Sequence, residues 1–469
     1  MKDSLSNLTN QKILILGLGN EGWSTYRFLR RQLPDNQLAV ADQRDFKEFA
    51  FQQQTSLQQD AKLTLFLGKQ YLKKITNYSV IFKAPGIPKS KPEIKHAVDN
   101  GAQLTSNTQL FFELCPGQII GVTGTKGKST TAAVIHHVLK THGLDAHLVG
   151  NIGQPALDFL EKINQATLVV FELSSHQLET LTMSPHIAVV QNISSEHLDY
   201  YSSTEEYQTA KSAITRYQTT DDIVIYNPAF SVAAQIASLS SGKHLRHSLD
   251  EGPESVAFIR QGSIVYKGPQ GKAYETIQTN KLPLIGKHNW HNVLPAVIIG
   301  GLFNVEPDEI GQALSNFKPL PHRLELVLEK NSVRYFDDSL STLPDATIQA
   351  LENFTEPVVL IAGGYERHQD FTQLATVILE KNVVGLVLFH PTGQRLAEAI
   401  KQAAGPHHAL PTIKFAETMA EAVEKAHPMV PSTGGVMLMS PGSASFGRFK
   451  DYQDRGEQFQ AAVKKTKKQ

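Results

Sequence analysis

The segment Thr123-Gly124-Thr125-Lys126-Gly127-Lys128-Ser129-Thr130 limits what this chain can fold into more than any other. The apolar run Ile119 to Val122 precedes it, and a helical stretch from about Lys128 to Leu139 follows. A buried strand that turns through glycines into a helix is a phosphate-loop arrangement. Its backbone N–H groups cradle phosphates, Lys128 neutralises β/γ oxygens, and Ser129 offers a hydroxyl to Mg²⁺. The strict pattern has a glycine where this chain has Val122, so the loop is the shorter Gly124-x-x-Gly127-Lys128-Ser129. A purely structural explanation is hard to build for so much glycine and lysine between two apolar elements.

Similar alternations run along the whole chain. Ile13–Leu16, Leu38–Ala41, Val80–Phe82, Thr167–Phe171, Val358–Ile361, Val384–Phe389 and Val436–Met439 read as short buried strands, with helix-length segments between them. Strands that alternate with helices predict an α/β fold with parallel sheets covered on both faces. The 469 residues suit about three domains at roughly 150 residues each. The expected domains are 1–103, 104–318 and 319–469, the last cut falling before the stiff Pro319-Leu320-Pro321.

Lys+Arg and Asp+Glu are both 45, so the net charge is zero. This argues against nucleic acid or an anionic membrane as partner. The single cysteine, Cys115, excludes an internal disulfide and a cysteine-rich zinc site. Met1–Gln11 lacks the apolar core of a signal peptide, and Val293–Phe303 is too short and interrupted to span a bilayer. The expectation is a soluble cytoplasmic protein with no membrane span. The basic C-terminal Lys464–Lys468 reads as a solvated, frayed end.

Three further motifs bear on chemistry. Gly17-x-Gly19-x-x-Gly22 follows a strand and opens a helix, and Asp42 closes the next strand where it could reach a ribose. This is either a nucleotide or nucleotide-sugar site or a tight turn holding nothing. Glu172 ends an apolar strand in Phe171-Glu172-Leu173-Ser174-Ser175-His176-Gln177-Leu178-Glu179. There it is a hard-cation ligand or a solvated strand-end carboxylate. Asn192-Ile193-Ser194-Ser195-Glu196-His197-Leu198-Asp199 offers a second ligand set. Taken alone, His197 reads as a structural or surface histidine and Lys211 as a solvated helix lysine.

The phosphate loop, Phe171–Glu179, Asn192–Asp199, Lys211 and Gly286-Lys287-His288-Asn289-x-x-Asn292 occur in this order. Together they resemble the Mur ligases, the ATP-dependent amino-acid-adding enzymes of peptidoglycan synthesis. Gly17–Gly22, Gly150-Asn151-Ile152-Gly153, Pro321-His322-Arg323, Asp337-Asp338-Ser339 and Ser440-Pro441-Gly442-Ser443-Ala444-Ser445-Phe446 are similar to the D-glutamate-adding branch of that family. The resemblance runs from about residue 12 to 460.

It implies three domains: an N-terminal Rossmann-like one for the UDP substrate, a central P-loop ATPase-type one, and a C-terminal Rossmann-like one that closes over ATP and the amino acid. It implies the ligation of glutamate to UDP-N-acetylmuramoyl-L-alanine through an acyl phosphate, by a monomer. ATP would contact Gly124, Thr125, Lys126, Gly127, Lys128, Ser129, Thr130, Asn289, Asn292, Arg323 and Asp338. The catalytic set would be Lys128, Lys211, His197 and Asn151. Two Mg²⁺ ions would be held by Ser129, Glu172, His197 and a carbamylated Lys211. The UDP substrate would lie at Gly19, Asn20, Glu21, Asp42, Gln43, Arg44, Pro85 and Gly86. The amino acid would meet Thr342, Arg367, Ser445 and Tyr452.

The amino-acid pocket departs from that family's pattern. Asp338-Ser339-Leu340-Ser341-Thr342 has Leu340 in place of a lysine, and Gly363-Gly364-Tyr365-Glu366-Arg367 ends in arginine instead of lysine. Arg367 keeps the charge but offers a planar fork in place of a point charge. D-glutamate is the expected amino acid, with L-glutamate or another as alternatives. Rival readings explain less. A nicotinamide dehydrogenase leaves Thr123–Thr130 and Lys211 unexplained. A folate-polyglutamylating ligase leaves residues 1–103 unexplained. A non-enzymatic regulator would have a broken catalytic set, yet Lys128, Glu172, His197 and Lys211 are all present.

Overall fold

The structure is a computed structural model describing residues 2–150, 154–194, 200–284, 286–405 and 410–465. Asn151 and His197 lie outside the described residues. The chain divides into two compact units, Met1–Leu282 with His288–Phe317, and Lys318–Gln469 with Pro283–Lys287.

The first unit carries two sheets. Strands β1 (Ile13–Leu16), β2 (Leu38–Asp42), β3 (Leu63–Leu67), β4 (Val80–Lys83) and β5 (Gln103–Thr105) form a parallel sheet in the order β3-β2-β1-β4-β5. Every residue of β1, β2 and β4 is buried, which is why these segments read as unbroken apolar runs. The second sheet has nine strands. They are β6 (Gln118–Thr123), β7 (Ala146–Gly150), β8 (Leu168–Glu172), β9 (Ile187–Val190), β10 (Ile223–Tyr226), β11 (Lys243–His247), β12 (Ser255–Arg260), β13 (Ser263–Lys267) and β14 (Ala273–Gln278). Their order is β14-β13-β12-β11-β10-β9-β6-β8-β7. One core cluster runs from Leu8 through Phe111 and Phe171 to Ala237, so both sheets of this unit share apolar packing.

The second unit holds β15 (Glu325–Lys330), β16 (Val333–Asp337), β17 (Val358–Gly363), β18 (Val383–Phe389), β19 (Thr412–Phe415) and β20 (Gly435–Met439), in the order β15-β16-β20-β17-β18-β19. Each face of this sheet is covered by its own apolar cluster.

The structure confirms the α/β architecture and corrects one expectation. The sheets are not wholly parallel: β12, β13 and β14 pair antiparallel, as do β15 and β16. Tight turns with positive φ at Gln261 and Gly262 join β12 to β13 and at Asn331 and Ser332 join β15 to β16, and Gly271, at φ +79°, lies in the turn between β13 and β14. β14 and β15 are largely half-buried or exposed, whereas β13 and β16 are buried except at Lys267 and Arg334. Among the described residues no helix is long and apolar enough to cross a membrane. Val293 and its apolar neighbours belong to the buried helix Lys287–Leu302.

Candidate active site

The phosphate loop links β6 to the helix Lys128–Thr141. Gly127 caps that helix with φ +85°, a left-handed conformation that glycine tolerates. A Cβ on Gly127 would overlap Asn292 Oδ1 and lie 3.2 Å from its Cγ. Asn292 donates to Asn289 Oδ1 at 2.9 Å, so this buried asparagine pair is seated directly on the loop. Thr125 anchors the other side: its amide donates to the Asn192 carbonyl (2.8 Å), and its hydroxyl donates to the Ser194 carbonyl (2.9 Å). Lys128 Nζ donates to the Thr125 carbonyl at 2.9 Å, curling back over the loop.

Ser129 Oγ donates to Glu172 Oε1 at 3.0 Å. Glu172 ends β8 and is fully buried, which removes the solvated-carboxylate reading. A hydroxyl and a carboxylate in contact at a helix N-terminus form a hard-oxygen donor set that suits Mg²⁺. Lys211, on the helix Thr204–Ser212, is only 1% exposed, so it is no solvated surface lysine. Its Nζ donates to the Gly124 carbonyl (2.8 Å) and the Thr123 hydroxyl (3.3 Å), and stands 4.9 Å over the Tyr207 ring. Tyr207 Oη in turn shares a hydrogen bond with Thr125 Oγ1 at 2.9 Å. Lys128, Ser129, Glu172, Lys211, Asn289 and Asn292 therefore gather at the C-terminal ends of β6, β8 and β9.

The glycine turn after β1 is close-packed. A Cβ on Gly22 would sit 2.9 Å from the Gly17 carbonyl carbon, and one on Gly17 would sit 2.9 Å from Ala84 Cβ and Ile87 Cδ1. The Gly17–Gly22 turn thus abuts the Ala84-Pro85-Gly86-Ile87 turn after β4. Gly19, Asn20, Gln43 and Gly86 are exposed at these tips. Asp42 is engaged by its own turn and by Leu18. Its carboxylate accepts from Leu18 N–H (2.6 Å), Arg44 N–H (2.9 Å), Arg44 Nε (3.0 Å) and Arg44 Nη2 (2.9 Å). Burial pushes its pKa up, but the Arg44 guanidinium and these amides outweigh that and hold the carboxyl below its usual range. Asp42 therefore braces the turn, and Arg44 lies between it and the Phe49 ring, 4.6 Å away. Glu21 Oε1 accepts from Gln177 Nε2 at 2.7 Å, while its other carboxylate oxygen is buried without a partner among the described residues. Burial raises the Glu21 pKa to about 7, against the lowering effects of Gln177 and Lys83.

The second unit gathers the remaining expected residues around the C-terminal ends of β16, β17 and β20. Asp338 is buried and accepts from Ser440 Oγ (2.7 Å) and Leu324 N–H (3.1 Å). Burial raises its pKa to about 6. His322 Nδ1 lies 2.7 Å from Asp337 Oδ2, which fixes the bend before Arg323. Thr342 lies in the same loop as Asp338, and its carbonyl accepts from Gln369 Nε2 at 3.1 Å. Ser445 is buried, and Tyr452 begins the helix Tyr452–Lys465. Arg367 is exposed, with its guanidinium 5.3 Å over the Phe446 ring.

Several organising residues carry no motif of their own. Fully buried Arg455 donates to Ser339 Oγ (2.9 Å), the Ser339 carbonyl (2.8 Å) and the Ser443 carbonyl (2.9 Å). It ties the loop after β16 to the loop after β20. Tyr200 and Tyr207 were equally silent in sequence, while Gln177 stood within the Phe171–Glu179 motif without a role of its own. Lys83 gave one signal, as a lysine closing a buried apolar strand just before Ala84-Pro85-Gly86.

Residues 11–106 match the N-terminal domain model of MurD-like Mur ligases, 122–300 the Mur ligase middle domain, and 322–442 the Mur ligase glutamate ligase domain. The chain belongs to the Mur ligase family and is an ATP-dependent amide-bond-forming ligase. It is 34% identical over 466 residues to the UDP-N-acetylmuramoylalanine–D-glutamate ligase of Acetivibrio thermocellus, covering 99% of this chain and 98% of that protein. It is also 34% identical over 403 residues to the ligase of the same name from Symbiobacterium thermophilum, covering 85% and 87%.

Among solved structures, the fold is shared with the UDP-N-acetylmuramate–alanine ligase of Thermotoga maritima (TM-score 0.57, 19% identity, 97% and 100% covered). It is shared too with a Mycobacterium tuberculosis folylpolyglutamate synthase (TM-score 0.54, 16% identity), which covers 72% of this chain and is itself 90% covered.

Proposed function

We propose that this protein joins D-glutamate to UDP-N-acetylmuramoyl-L-alanine, with ATP converted to ADP and phosphate, in a cytoplasmic step of peptidoglycan synthesis. The observation that carries the reading is the cluster of Lys128, Ser129, Glu172 and Lys211 on one phosphate loop, in a chain whose full-length relative bears that ligase's name.

The chemical problem is electrostatic, because a carboxylate must approach a triphosphate. Lys128 supplies one compact positive charge at the loop. Bound Mg²⁺ would neutralise phosphate oxygens and orient the transferring group, and Ser129 and Glu172 are the residues to hold it. His197 completes the expected ligand set by resemblance. We assign Lys211 as the carbamylated lysine. A carbamate keeps one N–H, enough for the Gly124 carbonyl, and adds a carboxylate, one negative charge shared by two oxygens, that would face a second cation. Asn289 and Asn292 fix the loop, and Arg323 and Asp338 are assigned to ATP by resemblance alone. The substrate carboxylate attacks the γ-phosphorus and ADP departs. The amino group of glutamate then attacks the acyl carbon, loses a proton, and expels phosphate.

Thr342, Arg367, Ser445 and Tyr452 are the residues we assign to glutamate. Arg367 in place of lysine still pairs with a carboxylate, and bidentately. Phosphate release with ATP, Mg²⁺, UDP-N-acetylmuramoyl-L-alanine and either glutamate enantiomer tests the reading. Turnover with D-glutamate is expected. Turnover confined to L-glutamate would overturn the assigned stereochemistry, and none with either would overturn the substrate assignment.

A further inference from the structure

A buried polar cluster lies beside the glycine turns and belongs to none of the expected site sets. Lys83 ends β4 with its side chain fully enclosed, and Glu179 follows the helix Ser175–Leu178 with a side chain 1% exposed. Their ion pair measures 3.3 Å. Lys83 Nζ also donates to the Ile87 carbonyl at 2.8 Å. Tyr200 Oη stands 2.9 Å from the same Ile87 carbonyl, 3.0 Å from Glu179 Oε2 and 3.2 Å from Lys83 Nζ. Its single proton serves one of the two oxygens, and its lone pair accepts from Lys83. Lys89, more exposed, reaches Glu179 at 3.7 Å.

Burying an ion pair is costly, and a hydrophobic pair of similar volume often serves packing as well or better. General adhesion between the two sheets is therefore a weak reason for this cluster. What it does locally is hold one turn. Lys83 and Tyr200 converge on Ile87, the last residue of Ala84–Ile87. Within that turn the Ala84 amide is taken by the Leu16 carbonyl (2.8 Å), the Ile87 amide by the Ala84 carbonyl (3.2 Å), and Pro85 has none. Gly86 remains. Among the described residues no acceptor takes its N–H, and a Cβ added there would meet open space. The turn also abuts Gly17, whose added Cβ would strike Ala84 and Ile87.

We infer that Lys83, Glu179 and Tyr200 are positioning residues for the nucleotide-sugar substrate, fixing the Ala84–Ile87 turn so that the Gly86 amide is presented beside the Gly17–Gly22 turn. The chemistry recognised is a nucleoside diphosphate, whose oxygens accept backbone N–H bonds. The inference rests on the reading of these turns as the UDP site. It adds that the second sheet, through Glu179 and Tyr200, sets the geometry of the first.

The test is calorimetric binding of UDP and, separately, of ADP to the full-length protein. Three forms are compared: wild type, Tyr200→Phe, and the double variant Lys83→Met/Glu179→Gln, which removes both charges together. Tyr200→Phe, which deletes one hydroxyl, should raise the Kd for UDP roughly 3- to 10-fold and leave that for ADP within about 2-fold. The double variant should raise the UDP Kd at least about 10-fold, again sparing ADP. A merely adhesive cluster predicts equal loss of both ligands or of neither, and either result overturns the inference, provided Tyr200→Phe melts near wild type. If wild type binds no UDP, the assignment of the nucleotide-sugar site falls first and the inference with it. Tight UDP binding by all three forms removes the positioning role alone.

Discussion

Replacing Gly127 by alanine tests the phosphate loop at its most constrained point. Gly127 has φ +85°, and a non-glycine residue there costs about 1–2 kcal/mol. The new Cβ would overlap Asn292 Oδ1, the end of a flexible side chain, so Asn292 would turn away. Turning forfeits the 2.9 Å bond from Asn292 Nδ2 to Asn289 Oδ1, worth about 0.5–1.5 kcal/mol. The sum is about 1.5–3.5 kcal/mol against the cradle conformation, or roughly 10- to 300-fold in affinity where each 1.4 kcal/mol is tenfold. Gly143 supplies the control. It follows the same helix at φ +83° and has no atom within 4 Å of an added Cβ. Gly143→Ala therefore carries the same backbone cost without touching the loop. Titration with a fluorescent ATP analogue should show weakened binding for Gly127→Ala and unchanged binding for Gly143→Ala, with similar thermal midpoints. Near-wild-type affinity in Gly127→Ala would refute the loop as the phosphate cradle.

Other outcomes follow from single residues. Lys211→Ala should lower turnover by at least about 100-fold, and a small carboxylate should partly restore it; wild-type turnover would remove the carbamate assignment. Arg367→Ala should raise KM for glutamate by roughly 10- to 100-fold, the worth of a charge-assisted bond, while leaving KM for ATP alone; steady-state kinetics separates the two. His247 is fully buried, neither ring nitrogen has a partner among the described residues, and burial lowers its pKa to about 3. Unfolded histidine takes a proton below pH 6.5 while folded His247 does not, so its contribution to stability falls as pH drops through that range. At pH 5 the loss is about 2 kcal/mol, from 1.5 pH intervals at 1.36 kcal/mol each. Denaturant titrations of His247→Leu should show a flatter pH dependence between 7.5 and 5, and a curve parallel to wild type would contradict this.

How much could be read from sequence depended on the range of each interaction. β1 was legible because Ile-Leu-Ile-Leu is buried on both faces and bounded by glycine. The phosphate loop was legible because its chemistry is consecutive: Gly127, Lys128 and Ser129 act within one turn. Glu172 was half legible. Its strand end could be read, but its burial depends on the neighbouring strands and helix. Asp42 shows the limit most clearly. A strand-end aspartate has the spacing of a ribose ligand, yet Arg44, two residues on, folds back and joins Leu18 in occupying its carboxylate. Neither the antiparallel strands β12–β14 nor the Arg455 ties left a periodic apolar signal. Lys83, Glu179 and Tyr200 converge from separate segments, and only the folded chain unites them.

The central claim is that a substrate carboxylate is activated by the γ-phosphoryl group of ATP on this loop. Oxygen tracing tests it most directly. UDP-N-acetylmuramoyl-L-alanine labelled with ¹⁸O in the alanyl carboxylate would be turned over with ATP, Mg²⁺ and D-glutamate. The released phosphate and nucleotides would then be examined by mass spectrometry. An acyl phosphate passes one labelled oxygen to inorganic phosphate at each turnover, and that is the predicted result. Label in AMP would mean an acyl adenylate, and unlabelled phosphate would mean that water had split the ATP. Either finding would contradict the account.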